Sequence, residues 1–163
     1  MSGYSIAPAG ADDLADLLPL LRGYCDFYET DPPDEDLLWL ARTLIDDPER
    51  EGIQLLARDA AGSGAGFATV FWSYDTSTAC RIGVMNDLYV APAARGSGLA
   101  DELIARCACL CRERGVPRLD WVTAADNLRA QAVYDRVGAK RESWQNYTLR
   151  VQPAGVRRED DLR

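Results

Sequence analysis

Leucine and other apolar residues recur at helical spacing in two segments near the start of the chain. The three- and four-residue intervals over residues 12–28 predict one helix, and those over residues 34–46 predict a second. Each segment stops at a sequence that contains proline, at residues 30–33 and 47–48. A short extended segment at residues 4–8 precedes both, so the chain is predicted to begin with a strand and two helices.

Short apolar runs bounded by glycine, proline and polar residues follow the second helix. They predict strands over residues 53–57, 67–74 and 82–90, with a hairpin turn at the glycine cluster of residues 62–66. The cluster is not followed by a Lys-Ser or Lys-Thr pair or by a helix. We therefore interpret it as a turn rather than as a phosphate-binding loop.

Helical and strand patterns alternate in the second half of the chain. Predicted helices span residues 99–114 and 127–137, and predicted strands span residues 118–123 and 139–151, the last around Trp144, Tyr147 and Leu149. The element order β-α-α-β-β-β-α-β-α-β indicates an α/β fold with a mixed sheet. Because no linker or repeat interrupts this order, residues 1–163 are predicted to form one domain, with a polar, frayed tail at residues 152–163.

The amino-acid composition excludes a membrane span and every catalytic mechanism that needs histidine. Its 163 residues are 47% hydrophobic and 27% charged, which suits one sizeable core, and no apolar run approaches the roughly 20 residues of a membrane span. We therefore expect no membrane partner. The sequence has no histidine, which excludes Ser-His-Asp and Cys-His machinery, histidine metal sites and histidine as a general base.

The charge is distributed unevenly. Residues 1–64 carry 14 acidic residues against 4 arginines, a net charge of 4 − 14 = −10, and the total of −8 leaves +2 for the rest. An acidic balance argues against a nucleic-acid partner, which needs a basic face. The acidic first half is suited to attracting a cationic ligand, although a solvated acidic surface accounts for it equally well.

Five cysteines are spread over the chain without a signal-like N-terminus, which predicts reduced thiols and a cytoplasmic location. Cys107, Cys109 and Cys111 alternate within a predicted helix. Successive members of this run point about 200° apart, so they cannot converge on one metal ion. We expect them to be packing residues and expect no metal cofactor.

The strongest local motif is a glycine turn between a predicted strand and a predicted helix. Gly96 and Gly98 leave the backbone free to curl around an anion, and their N–H groups lie where a helix begins with partial positive charge. The motif is weak when taken alone, because a plain strand-to-helix turn looks the same. A Rossmann motif would require a third glycine at position 101, where the chain has Asp101.

A second motif lies about thirty residues further on. Asn127, Ala130, Tyr134 and Gly138 follow N-x-x-A-x-x-x-Y-x-x-x-G spacing, with Asn127 predicted to cap a helix and Tyr134 two turns along the same face. Together with the glycine turn, this pattern resembles the GCN5-related N-acetyltransferase (GNAT) superfamily over roughly residues 53–149. Residues 86–90, 118–122 and 144–149 are similar to its polyamine and thialysine acetyltransferase branch.

The resemblance implies a GNAT fold: a mostly antiparallel mixed sheet, flanked by about four helices, in which the fourth and fifth strands splay into a V. It also implies that the pantetheine arm of acetyl-CoA lies in the V against the fourth strand and that the glycine turn binds the pyrophosphate. Relatives in this branch often pair through their late strands, which implies a possible homodimer. The implied coenzyme residues are Leu88, Tyr89, Val90, Arg95, Gly96, Ser97, Gly98, Leu99, Ala100, Asp101, Asn127 and Arg136.

For catalysis, the resemblance implies transfer of an acetyl group to an amine, with Tyr134 as the acid that protonates the leaving thiolate. The branch has a glutamate where this chain has Asn86, which cannot usefully accept a proton. Asp87 is the nearest carboxylate and a candidate base, although strand alternation predicts that residues 86 and 87 point to opposite faces. A water chain to an acid in the first half of the chain is the other candidate.

The acceptor is expected to enter beside the end of the first helix, where aromatic and acidic residues combine in a way that suits a small cationic amine. Packing of the aromatic residues in the core would also explain them. The predicted acceptor residues are Tyr24, Asp26, Tyr28, Glu29, Asn86 and Trp121, with Phe27 and Trp144 as further aromatic candidates. Two alternatives to a small-amine enzyme stay open: an enzyme for an amine antibiotic or a protein amine, and a non-catalytic acyl-CoA sensor.

Overall fold

The computed structural model describes residues 3–151 and has five strands and four helices in the order β1, α1, α2, β2, β3, β4, α3, β5, α4. The strands are β1 (Ser5–Pro8), β2 (Gly52–Arg58), β3 (Gly64–Asp75), β4 (Cys80–Val90) and β5 (Leu119–Asp120). The helices are α1 (Leu14–Phe27), α2 (Asp34–Asp46), α3 (Leu99–Glu113) and α4 (Leu128–Arg136). Short 3₁₀ turns precede α1 and α3, at Ala11–Asp13 and Pro92–Ala94.

The strands form one sheet in sequence order, antiparallel throughout except for the parallel pair β4 and β5. Successive residues of a strand point to opposite faces, and here each face has its own core. Leu56 and Phe67 pack with the α1 and α2 side, whereas Leu55 and Ala68 pack with α3. The predicted mixed α/β fold with helices on both sides of the sheet is therefore confirmed.

β4 and β5 pair only at their start and then separate. Gly83 lies opposite Leu119 and Val84 opposite Asp120, and the Gly83 N–H donates to the Arg118 carbonyl over 3.0 Å. Beyond this point β4 continues to Val90 with no strand on that side among the residues described. The predicted V between these two strands is therefore present.

A β-bulge interrupts β4 within the V. Thr69 of β3 is paired with Asp87 and the next residue, Val70, with Met85, so Asn86 is the extra residue on β4. A bulge bends its strand and re-aims the side chains beside it. Met85 and Asp87, two positions apart, therefore pair with consecutive residues of β3, so simple strand alternation does not extend across residues 85–87.

Two predicted strands differ from the structure. β5 covers two residues instead of 118–123, and residues 139–151 form no strand although they carry the predicted pattern. A strand pattern is realised only where another strand supplies hydrogen-bond partners, and the described chain supplies none to this segment. The predicted polar tail at residues 152–163 lies outside the described residues.

Candidate active site

A cleft of about 670 Å³ lies in the V between β4 and β5. Four other parts of the fold complete its walls: the C-terminal end of α1, the turn before α3, the segment after β5, and α4. The predicted site residues that line it are Tyr24, Tyr28, Asn86, Leu88, Tyr89, Val90, Arg95, Gly96, Gly98, Leu99, Ala100, Asp101, Trp121, Asn127, Tyr134 and Arg136. Four predicted residues, Asp26, Glu29, Asp87 and Ser97, do not line it.

The glycine turn forms one end of the cleft. Gly96 and Gly98 have φ values of 82° and 89°, a left-handed conformation that glycine adopts without strain. A Cβ atom built on either glycine would have no heavy atom within 4 Å, so the space beside the turn is open. This space, at the first turn of the 15-residue helix α3, fits the anionic pyrophosphate of a coenzyme.

Two side chains of the turn are turned back onto the protein. The Ser97 hydroxyl donates to the Ala94 carbonyl over 2.7 Å, which explains why Ser97 is not part of the cleft wall. Arg95 lines the cleft, and its Nε donates to the Val90 carbonyl over 3.1 Å. Arg95 therefore links the end of β4 to the turn.

An ion pair joins the two helices that flank the turn. Nε of Arg136 lies 2.7 Å from Oδ1 of Asp101, and Nη2 lies 2.7 Å from Oδ2. The Arg136 guanidinium holds the pKa of the Asp101 carboxyl below its usual value. Arg136, predicted to contact phosphate, has instead a carboxylate partner on α3.

α4 brings a capping amide and a phenol to the cleft. The Asn127 side chain accepts a 3.2 Å hydrogen bond from the Ala130 N–H, so the predicted N-cap is confirmed. Tyr134 is half-buried, and its ring packs edge-on against Trp121 with centroids 5.3 Å apart. Burial raises the pKa of the Tyr134 phenol, and Tyr28 adds to the increase, whereas a hydrogen bond with Thr123 opposes it. Tyr134 is therefore a protonated donor at neutral pH.

Asp87 lies behind the cleft wall, with its exposure reduced to 9%. Nδ2 of Asn86 donates to its carboxylate over 2.9 Å. Burial, the Asp87 charge and a hydrogen bond to Asp87 raise the pKa of Tyr24. The Asp87 carboxylate thus accepts hydrogen bonds from Asn86 and Tyr24. Both of these side chains line the cleft and separate Asp87 from it.

The acceptor end of the cleft is aromatic rather than acidic. Tyr24, Phe27 and Tyr28 line it, and the Tyr24 and Tyr28 rings are 4.9 Å apart. Asp26 and Glu29 are exposed and lie outside the wall, because only some side chains of the last turn of α1 point toward the V. The predicted acidic entrance is therefore not formed by these two residues. Trp144, also considered, is 84% exposed and does not line the cleft.

Several residues that line the cleft were not among the predicted site residues. They are Met85, Ala94, Val122, Thr123, Arg129, Ala130, Ala132 and Val133. Thr123 and Arg129 are the chemically important ones, since Thr123 hydrogen-bonds with the Tyr134 phenol and Arg129 brings a guanidinium to the cleft that has no ion pair among the described residues. Arg129 could have been predicted, because it lies two residues after the predicted cap, Asn127, and therefore at the end of α4 that borders the cleft. Nothing in the sequence indicated Thr123, because its contact with Tyr134 depends on where β5 ends.

Residues 3–151 were predicted to hold neither a metal site nor a membrane span. No cluster of three or more cysteine, aspartate or glutamate side chains is arranged to hold a metal ion there. No described helix is long and apolar enough to cross a membrane. Cys107 and Cys111 are buried in the core beneath α3, as the packing interpretation expects.

Known proteins share both the sequence pattern and the fold. A thialysine N-epsilon-acetyltransferase of Caenorhabditis elegans is 26% identical over 160 residues, 96% of each chain. A D-amino-acid N-acetyltransferase of Saccharomyces cerevisiae is 31% identical over 121 residues, which is 74% of this chain and 75% of the yeast protein. A solved structure described as a probable acetyltransferase superposes with a TM-score of 0.77 at 29% identity, covering 91% of this chain and 98% of its own.

The family match covers most of the fold. Residues 14–139, from the start of α1 to just past α4, match the acetyltransferase (GNAT) family. The matched region includes the V, the glycine turn and α4. The chain thus belongs to the GNAT family and is an acetyl-CoA-dependent N-acetyltransferase.

Proposed function

We propose that this enzyme transfers the acetyl group of acetyl-CoA to a primary amine of a small cationic acceptor by direct attack, with Tyr134 as the general acid. The observation that carries the proposal is the placement of a neutral phenol within the cleft, between an open glycine turn at one end and an aromatic wall at the other. In this proposal the glycine turn binds the pyrophosphate of the coenzyme, and the aromatic wall binds the acceptor.

The reaction needs one proton donor from the protein and one proton acceptor from the solvent in the cleft. The amine nitrogen forms a bond to the thioester carbonyl carbon, and the carbon–sulfur bond breaks. Tyr134 gives its proton to the departing thiolate, which its raised pKa permits at neutral pH. The attacking nitrogen loses a proton to water in the cleft, because Asp87 is buried and already accepts from Asn86 and Tyr24.

The wall supports a small acceptor that carries a positive charge near an apolar body. Tyrosine faces attract an ammonium group, and each such contact is worth about 0.5–1 kcal/mol when exposed. Asp26 and Glu29 are absent from the wall, so the aromatic rings are the main source of attraction for the cation. Two relatives are named for small amine compounds, thialysine and D-amino acids.

The coenzyme site is tested by replacing Gly98 with valine and measuring CoA binding by calorimetry. Valine places a side chain in the open space beside the turn, so binding should be lost. Gly62→Val is the matched control, since Gly62 has nearly the same φ of 85°, has equally open surroundings and lies in the β2–β3 hairpin. Both variants carry the same backbone strain. Unchanged affinity in folded Gly98→Val would mean that the coenzyme binds elsewhere.

The role of Tyr134 is tested by single-turnover kinetics of Tyr134→Phe. Phenylalanine keeps the ring against Trp121 and removes the proton, so the rate should fall by about 10²- to 10⁴-fold with little change in CoA affinity. Tyr74→Phe, at an exposed tyrosine outside the cleft, is the control. A rate within about twofold of wild type would assign the proton to solvent.

CoA binding without thiol release from any amine tested would favour a sensor.

We also propose that two copies of the chain associate through residues 139–151. Four large apolar side chains in this segment are exposed: Trp144, Tyr147, Leu149 and Val151. Tyr147, Leu149 and Val151 alternate with Thr148 and Arg150, which is the pattern of a strand with one buried face. Light scattering after gel filtration should give twice the chain mass, and Leu149→Glu should give the single-chain mass. A single-chain mass for the unmodified protein would refute the association.

A further inference from the structure

The Asp101 carboxylate occupies the position where the proposed pyrophosphate site needs positive charge. Asp101 is the third residue of α3 and lines the cleft beside the glycine turn. Its carboxylate also accepts a hydrogen bond from its own backbone N–H. An acidic side chain at the first turn stabilises a helix, but it repels an anionic ligand that binds to the same N–H groups.

Arg136 meets this carboxylate with two parallel hydrogen bonds, both 2.7 Å long. The fork of the guanidinium matches the two carboxylate oxygens, so the pair has a defined two-point geometry although the Arg136 side chain is 58% exposed. The two residues are 35 positions apart in sequence, on α3 and α4. The positive charge of Arg136 therefore cancels the negative charge of Asp101 at the edge of the turn.

We propose that Arg136 is a positioning residue for the coenzyme, which acts by neutralising Asp101 and holding its carboxylate on α4 so that the pyrophosphate can enter the turn. This inference rests on the proposed binding of acetyl-CoA at Gly96 and Gly98. In this arrangement the Nε and Nη2 atoms of Arg136 face Asp101, and the residue acts on the coenzyme through that carboxylate. The pair also ties α4, and with it Tyr134, to the start of α3.

A direct phosphate contact by Arg136 is the competing arrangement, and the two make opposite predictions for a double variant. If Arg136 neutralises Asp101, removing both side-chain charges should restore coenzyme binding. If Arg136 binds phosphate, the double variant should be as weak as the arginine variant. The comparison therefore separates an indirect effect on charge from a direct contact.

The experiment measures the dissociation constant of CoA by calorimetry at low salt for Asp101→Asn, Arg136→Gln and the double variant. Arg136→Gln should weaken binding by about tenfold, because it leaves an uncompensated carboxylate at the turn. Asp101→Asn and the double variant should both bind within about threefold of wild type. The loss in Arg136→Gln should shrink as salt is raised. A double variant as weak as Arg136→Gln would overturn the proposal.

Two further variants serve as controls. One tests whether the charge of Arg136 matters more than its forked shape, and the other tests whether loss of any paired arginine has the same effect. Arg136→Lys keeps the charge without the fork, so it should retain most of the affinity, and a loss equal to that of Arg136→Gln would contradict neutralisation. Arg106→Gln breaks a comparable pair with Glu113 on α3, outside the cleft, and should leave CoA affinity unchanged.

A last comparison identifies the phosphate and separates this proposal from the one on which it rests. Binding of 3′-dephospho-CoA should show the same dependence on Arg136, and loss of that dependence would indicate a contact with the 3′-phosphate and overturn the proposal. Unchanged CoA affinity in Gly98→Val would instead remove the coenzyme site itself. The two failures are therefore distinguishable.

Discussion

The side-chain amide of Asn86 donates a 2.9 Å hydrogen bond to the carboxylate of Asp87, its neighbour on β4. Adjacent strand residues ordinarily point to opposite faces, and the bulge at Asn86 is what allows the two side chains to meet. A carboxylate only accepts hydrogen bonds, so the nitrogen of the amide faces Asp87. The amide oxygen is left to accept from a donor in the cleft, such as the amine of the acceptor.

Loss of the Asn86 side chain should therefore affect turnover rather than coenzyme binding. We expect Asn86→Ala to lower the turnover rate by about fivefold, the effect of one lost hydrogen bond of about 1 kcal/mol. The CoA dissociation constant should change little. Thr76→Ala, at an exposed polar residue between β3 and β4 and outside the cleft, is the control for kinetics and binding. A fall in CoA affinity as steep as the fall in turnover would contradict this assignment.

The raised pKa of Tyr134 predicts how the reaction responds to pH. The phenol is a donor below its pKa, and burial moves that pKa upward from about 10, so the acid stays protonated at pH 7 to 9. The single-turnover rate should rise over this range as the acceptor amine loses its proton, with no decline caused by Tyr134. Tyr134→Phe should show a curve of the same shape at a lower rate. A decline between pH 7 and 9 that is present in wild type and absent in Tyr134→Phe would refute this.

Gly83 is expected to be essential for stability at the base of the V. A Cβ atom there would lie 2.8 Å from Sγ of Cys111 and 3.1 Å from Cδ1 of Leu119. Gly83→Ala should therefore lower the free energy of unfolding by about 1–3 kcal/mol, measured by urea titration. Gly10→Ala is the control, because its Cβ would have only one neighbour, Oδ2 of Asp13 at 3.8 Å. Equal stability of the two variants would contradict close packing at Gly83.

The cysteines should differ in reactivity according to their burial. Burial raises the pKa of the Cys107 thiol to about 12 and also raises that of Cys111, so neither forms thiolate readily at pH 8. Cys80 and Cys109 are only partly buried. Maleimide labelling of the native protein, followed by peptide mass spectrometry, should modify Cys80 and Cys109 first. Labelling of Cys107 at the rate of Cys80 would show that the core beneath α3 is open.

The sequence by itself determined the features that depend on local chain chemistry. The predicted second helix, residues 34–46, coincides with α2 because leucine spacing and the flanking prolines define both ends. Asn127 caps α4 as predicted, since a cap involves only the next three residues. The backbone freedom predicted for Gly96 and Gly98 depends on residue type alone, and both glycines adopt left-handed conformations. These elements, with the V implied by the resemblance, were enough to locate the cleft.

Tertiary structure decided what depends on residues distant in sequence. The bulge at Asn86 arises from the register between β3 and β4, which no local pattern encodes. Arg136 finds its partner 35 residues away, and a sequence shows only that Arg136 is charged. The strand predicted over residues 139–151 is absent, because a strand forms only against a neighbour and the described chain supplies none there. These three features depend on partners that are distant in sequence, and for that reason local sequence patterns did not predict them.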